Sequence, residues 1–154
     1  MKYYNHHHWK NHVFTIISDS ENILNILFGK YHLDECKYEN SLIIKETIKQ
    51  LEEYFSGKRK IFDLPVKICG KPFEKRVLSK LIKVGYGKTI SYKELARNAG
   101  NEKAFRAVGT ICKNNKIPII IPCHRVIKSD GGLGEYAGGI NLKKELLKLE
   151  SSLE

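Results

Sequence analysis

The chain has 154 residues and a formal net charge of +10, from 27 lysines and arginines against 17 acids; this length suits one domain or two small ones and allows a buried core. Hydrophobic residues make up 42%, yet no apolar run approaches the roughly 18 residues of a bilayer-spanning helix. Met1 to His12 is polar and histidine-rich where a secretory signal would be apolar, so a folded cytoplasmic protein is expected, nucleoid-associated in a prokaryote, monomeric and with no membrane partner.

The charge is uneven. Residues 1–67 hold 10 basic and 9 acidic side chains, a net of +1, while residues 68–154 hold 17 and 8, a net of +9. A polyanionic partner for the second half fits this distribution, and so does a lysine-rich solubility coat. Cys36, Cys69, Cys112 and Cys123 show no C-x-x-C spacing, which argues against zinc ribbons and thioredoxin-like pairs. They read as free thiols, at most one chemically special and the others small apolar packing residues. His6, His7, His8 and His12 could catch a metal but read as a frayed terminus, so no metal site and no cofactor are expected.

In chain order, Val13–Ile17 and Ile23–Phe28 are β-rich runs around the turn former Ser18-Asp19-Ser20, a predicted hairpin. Ser41 to Phe55 has Ile44, Ile48, Leu51 and Phe55 at helical spacing. Ser56 to Arg59 breaks that pattern, and Leu64 to Cys69 reads as one more strand. A boundary near residues 57–70 divides the chain into an N-terminal domain, 1–67, and a C-terminal one, 68–154. Beyond Pro72, residues Phe73, Val77, Leu78, Leu81, Ile82 and Val84 form one apolar helical stripe, stopped by Gly85 and Gly87. Ser91-Tyr92-Lys93-Glu94 is a capping box that opens a helix to Ala99; Gly100 turns the chain, and Asn101 can cap a second helix to about Lys113. Such a pair reads as a helix-turn-helix or as a plain packing unit. A last helix, Asn141 to Leu149, should turn Leu142, Leu146, Leu147 and Leu149 inward. The predicted fold is an α/β N-terminal domain, a small antiparallel sheet plus a helix, followed by a mostly α domain with a winged-helix-like helix-turn-helix.

Two glycine patterns fail as nucleotide sites. Gly87-Lys88-Thr89 ends like a phosphate-binding loop, but the required first glycine would fall at Ile82. Gly132-Leu133-Gly134 lacks a following helix pattern and a later acid. The chemically loaded stretch is Ile119-Ile120-Ile121-Pro122-Cys123-His124-Arg125-Val126-Ile127, where a thiol, an imidazole and a guanidinium are consecutive. Neighbours on a strand face opposite ways, so Cys123 and His124 could share a site only if the backbone turns, and Pro122 allows that. Imidazole and positive charge from Arg125 would then favour a thiolate. A core cysteine at a strand end beside an unrelated histidine fits the same composition.

The segment Ile121-Pro122-Cys123-His124-Arg125-Val126 resembles the signature of O6-alkylguanine-DNA alkyltransferases. Gly87 to Ala96, Arg106-Ala107-Val108-Gly109, Asn115, Gly134-Glu135-Tyr136-Ala137-Gly138-Gly139 and Lys144 to Glu150 follow in that family's order. The resemblance covers about residues 70–150. It implies that Cys123 takes an alkyl group from O6-alkylguanine in duplex DNA in a single, irreversible turnover without a cofactor, with O4-alkylthymine as a further candidate lesion. It also implies that His124 is the base through a bridging water, and that Glu150 orients it. Tyr92 would help turn the nucleotide out and donate to the guanine ring. Arg106 would enter the stack where the base was, with Ala104, Ala107 and Gly109 allowing close approach in the minor groove and Ser91 and Arg125 completing the DNA contacts. Asn115 would tie the helix-turn-helix to the active-site loop. Val126, Tyr136, Ala137 and Gly138 would line the base. Two departures stand out: Lys116 replaces a usual proline, and Ala137 a hydroxyl residue of some relatives. The rivals are a related protein that binds alkylated DNA without repairing it, though such proteins lack this cysteine, and a thiol hydrolase, which would turn over and would not need the basic helix pair.

Overall fold

The computed structural model describes residues 1–151. The chain forms two compact units, Met1–Lys67 and a second that starts at Ile68.

The first unit is a sheet covered by a helix. Strands β1 (Tyr3–Trp9), β2 (His12–Ser18), β3 (Ile23–Phe28) and β4 (Lys37–Tyr38) lie in the order β3-β2-β1-β4. The β1–β2 and β2–β3 pairs are antiparallel, the latter being the predicted hairpin, and β4 joins β1 in parallel. The histidine-rich start is no frayed terminus: β1 pairs along its whole length, from Tyr3 opposite Ser18 to Trp9 opposite His12. Period-two alternation explains this. Tyr4 is buried in the core, Trp9 stacks on Phe55 at 4.4 Å, and the His7 ring stacks on Phe55 at 5.9 Å. Nε2 of His6 meets the Tyr31 carbonyl at 2.8 Å. Among the described residues, no group of three or more His, Cys, Asp or Glu side chains could hold a metal.

Helix α1 (Leu42–Phe55) is capped by Ser41, whose hydroxyl accepts from the Ile44 amide. Its buried face is rotated from the aliphatic stripe, for Thr47 and Gln50 are buried while Ile48 is only half-buried. Both polar groups are satisfied: Thr47 donates to the Ile43 carbonyl, and Gln50 exchanges two hydrogen bonds with the Asp63 backbone. The expected strand at Leu64–Cys69 is absent. One isolated bridge joins Val66 to Ile23, whose amide donates to the Pro65 carbonyl; Pro65 has no amide with which to extend a ladder.

The second unit opens with α2 (Pro72–Leu81), which carries Pro72 in its first turn and buries Val77, Leu78 and Leu81. The helix ends before Val84, and Ile82 is left exposed. A short strand β5 (Ile90–Ser91) leads into α3 (Tyr92–Asn98), where the Ser91 hydroxyl accepts from the Glu94 amide at 3.0 Å. Gly100, at φ +102°, makes the turn that only glycine adopts without strain. Asn101 caps a 3₁₀ turn, Glu102–Ala104, which runs into α4 (Phe105–Lys113). The helices α3 and α4 form the helix-turn-helix, braced by Arg76 of α2, which donates to the Ala99 carbonyl. Strand β6 (Val126–Ile127) pairs in parallel with β5, Ile90 opposite Val126 and Ser91 opposite Ile127. The final helix α5 (Ile140–Ser151) buries Leu142, Lys143, Leu146 and Glu150. Leu147 and Leu149, expected inward, are half-buried, and a lysine and a glutamate occupy the inner face with the leucines.

Candidate active site

The aliphatic run before the cysteine is a turn rather than a strand. Ile121 donates to the Ile117 carbonyl, and Ile119 sits at φ +73°, a conformation that costs a β-branched residue on the order of 1–3 kcal/mol. Burial of every residue from Ile117 to Val126 offsets that strain. Pro122 then starts a 3₁₀ turn, Cys123–Arg125, the backbone break that lets consecutive side chains serve one region. Asn115 fastens the run from both sides: its side-chain amide donates to the Ile121 carbonyl at 2.8 Å, and its oxygen accepts from the Ile117 amide at 3.1 Å.

His124, Arg125 and Glu150 form one buried cluster. Nε2 of His124 lies 2.7 Å from Oε2 of Glu150; Nε and Nη2 of Arg125 donate to Oε1 and Oε2 at 2.9 and 3.0 Å. The amide of Gly87 donates to Oε1 at 3.3 Å, so the loop that imitates a phosphate site serves the carboxylate instead. Burial alone would raise the Glu150 pKa, but hydrogen bonds from His124 and Arg125 and the charge of Arg125 outweigh it and hold the carboxyl at about 2. An ionised Glu150 accepts the proton on Nε2 of His124, which leaves the lone pair on Nδ1. Nδ1 is buried and bonds to no protein group among the described residues. Burial lowers the His124 pKa, Glu150 opposes that, and Arg125 and Lys143 add to it. The ring is therefore a neutral imidazole with its basic nitrogen at Nδ1.

Cys123 is 5% exposed. Burial pushes its thiol up to about 11, against a hydrogen bond from Asn115 and the positive charge of Lys143. The resting sulfur is a thiol that must lose its proton to react. It opens into a cleft of about 690 Å³, lined also by Tyr92, Phe105, Arg106, Gly109, Cys112, Lys113, Glu135 and Tyr136. Burial, with Cys112, Cys123 and Glu135 nearby, pushes Tyr92 up to about 12, so its hydroxyl remains a donor at all ordinary pH. Gly134 packs against this ring: a β-carbon there would lie 2.7 Å from the Tyr92 hydroxyl.

The structure brings Tyr92, Arg106, Gly109, Cys123 and Tyr136 to one cleft. Ser91 caps α3 at its edge, Ala104 and the exposed Ala107 flank Arg106 around the start of α4, and Ala137 and Gly138 lie in the loop before α5. For two others the structure places the side chain away from the expected position. Arg125 is 6% exposed, with its guanidinium on Glu150 and, through Nη1, on the Val84 carbonyl at 2.6 Å, so its side chain is turned inward and is not displayed for DNA as expected. Val126 has a fully buried side chain and a carbonyl that accepts from Lys143, which leaves only its backbone to meet a base. Lys143 and Cys112 were missed. Lysine on an amphipathic helix reads as a solvated residue, and Cys112 carries no motif.

The profile described as 6-O-methylguanine DNA methyltransferase, DNA binding domain, matches residues 72–152, and that of the ribonuclease-like domain matches residues 2–68. The methylated-DNA–protein-cysteine methyltransferase of Methanosarcina barkeri is 49% identical over 114 residues, 74% of this chain and 72% of that protein. That of Methanosarcina acetivorans is 44% identical over 131 residues, 84% of each chain. The crystal structure of Mycobacterium tuberculosis OGT in complex with DNA superposes with a TM-score of 0.90 at 34% identity, covering 98% of this chain and 94% of that one. The chain belongs to the 6-O-methylguanine DNA methyltransferase family, and its activity is the transfer of an alkyl group from alkylated DNA to a protein cysteine.

Proposed function

We propose that this protein removes the alkyl group from O6-alkylguanine in duplex DNA, with Cys123 as the acceptor. The observation that carries this reading is the buried cluster beside Cys123, in which Glu150 fixes Nε2 of His124 and leaves Nδ1 basic. The proton of the thiol passes to Nδ1 through a bridging water. As the sulfur bonds to the alkyl carbon, the carbon–O6 bond breaks and its electron pair passes to the guanine. Tyr92, protonated throughout, donates a hydrogen bond to the ring that receives this charge. The thioether has no leaving group, so each molecule acts once.

The base must leave the duplex to reach a sulfur that is 5% exposed. Arg106, exposed at the start of α4, enters the stack behind it, while Ala107 and Gly109 keep the helix surface low enough for the minor groove. The same cleft takes alkylated thymine if its O4 substituent reaches Cys123.

Incubation with a duplex carrying O6-methylguanine, followed by intact mass and peptide mapping, tests the reading. One methyl should appear per molecule, on Cys123, with repair ending at one equivalent. Cys123→Ala should lose transfer and keep DNA binding within about threefold, because the thiol makes no backbone contact. Continued turnover, or label on another cysteine, would refute it.

A further inference from the structure

A buried cation without an acidic partner is left over once the reaction has been assigned. Lys143 of α5 is fully buried. Its ammonium donates to the carbonyls of Val126 at 2.7 Å, of Leu133, and of Glu135 at 3.4 Å. Three carbonyl acceptors call for three N–H donors, which the ammonium has and the neutral amine lacks. No carboxylate pairs with it among the described residues. A hydrophobic residue in the same space would leave these carbonyls without their donor, so the charge is what holds the two segments together.

The three carbonyls belong to β6, three residues past Cys123, and to the irregular segment that leads into Tyr136. Turns within that segment, from Lys128 to Gly132 and from Tyr136 to Gly139, are local, and beyond them the Gly139 carbonyl accepts from the Lys143 amide. A further tie, the ion pair between Glu135 and Lys113 of α4, is largely solvent-exposed and weak. Around the sulfur, Cys112 of α4, Tyr92 of α3 and Tyr136 of the loop all titrate well above neutral pH and do nothing to favour a thiolate. The guanidinium of Arg125 is neutralised by Glu150, which also holds His124.

We propose that Lys143 is a positioning residue for the transfer: its ammonium clamps the 133–135 segment to β6 and α5, and supplies a buried positive charge, paired with no carboxylate among the described residues, that favours the Cys123 thiolate. This rests on Cys123 being the acceptor. The mutual influence of Lys143 and Cys123 on each other's protonation agrees with it.

The test uses iodoacetamide, which reports thiolate without needing DNA, with peptide mapping to follow Cys123 across pH. Lys143→Gln and Lys143→Met should move the midpoint of Cys123 alkylation up by about one pH unit, a tenfold loss of thiolate on the rising flank. Lys143→Arg should stay near wild type. Hydrogen exchange in residues 129–138 should speed up at least tenfold in Lys143→Met. An unshifted midpoint in Lys143→Gln would overturn the electrostatic role, and unchanged exchange in Lys143→Met would overturn the clamp. If the neutral variants do not fold, nitrogen-detected resonances of the Lys143 ammonium in wild-type protein decide. They should shift as Cys123 titrates and stay fixed in Cys123→Ser, and a fixed signal in both would sink the proposal. Failure of the wild type to repair DNA would refute the assigned function while leaving these readouts intact.

Discussion

Glu150 serves two masters, since one carboxylate fixes the His124 tautomer and neutralises the buried Arg125. Family resemblance points to Glu150 as an orienter of His124 and to no other role. The geometry says otherwise. Glu150→Gln leaves the buried guanidinium without its counter-charge, which should destabilise the second unit by about 3 kcal/mol in a denaturant titration. Adding Arg125→Met should recover most of that loss but not the transfer rate, because His124 would still lack an anionic partner. A single variant as stable as wild type would show that Arg125 tolerates a neutral acceptor. The residue types of the site were legible in the sequence, because the Pro-Cys-His-Arg-Val run is compact and specific. Side-chain direction was not: Arg125 follows His124 in sequence, yet the 3₁₀ turn aims it inward at Val84 and Glu150.

At the scale of elements, local signals proved reliable where the chemistry is local. Ser91 and Asn101 mark helix starts because a side-chain oxygen meets an amide two or three residues on. Elements that depend on distant partners were harder to read. Strand β1 looked like a polar tail because its histidines gain their environment from Phe55 and Tyr31, and Ile119–Ile121 looked like a strand because composition does not reveal a left-handed isoleucine. Helix α4 presents Arg106 to solvent and to the cleft. Arg106→Ala should slow repair of a duplex lesion at least tenfold more than dealkylation of the free base in a single-turnover assay, since only the duplex needs something to fill the stack. Equal losses on both substrates would remove Arg106 from extrusion.

Across the whole molecule, charge and titration act on different surfaces. The +9 excess lies in residues 68–154, while His124, Lys143 and Glu150, each with a lowered pKa, are buried within the same unit. His124, lowered by burial, stays neutral in the fold, whereas the unfolded chain binds a proton below about pH 6.5. Stability should therefore fall as pH drops through 6.5. Glu150, held at about 2, contributes stability above the ordinary carboxylate range that is lost between roughly pH 4.5 and 2. Thermal melts from pH 7.5 to about 2.5 should show a declining Tm for the second unit, and Glu150→Gln should flatten the part of that curve below about pH 4.5. A Tm independent of pH across this range would contradict the buried cluster.

The two-residue ladder between β5 and β6 fixes more than a contact. Ile90 opposite Val126 and Ser91 opposite Ile127 set the spacing of the α3 start from the reactive turn through backbone hydrogen bonds, without regard to side chains. So short a ladder has no slack, and one residue gained or lost next to it reverses which side chains face the core. Between the paired strands, an insertion must be absorbed at the Gly100 turn or in the 114–116 connection. After Ile127 no such restraint applies. Deletions and insertions of natural or engineered origin should accordingly collect between Lys128 and Gly132, and between Ser91 and Val126 they should be confined to those two connections.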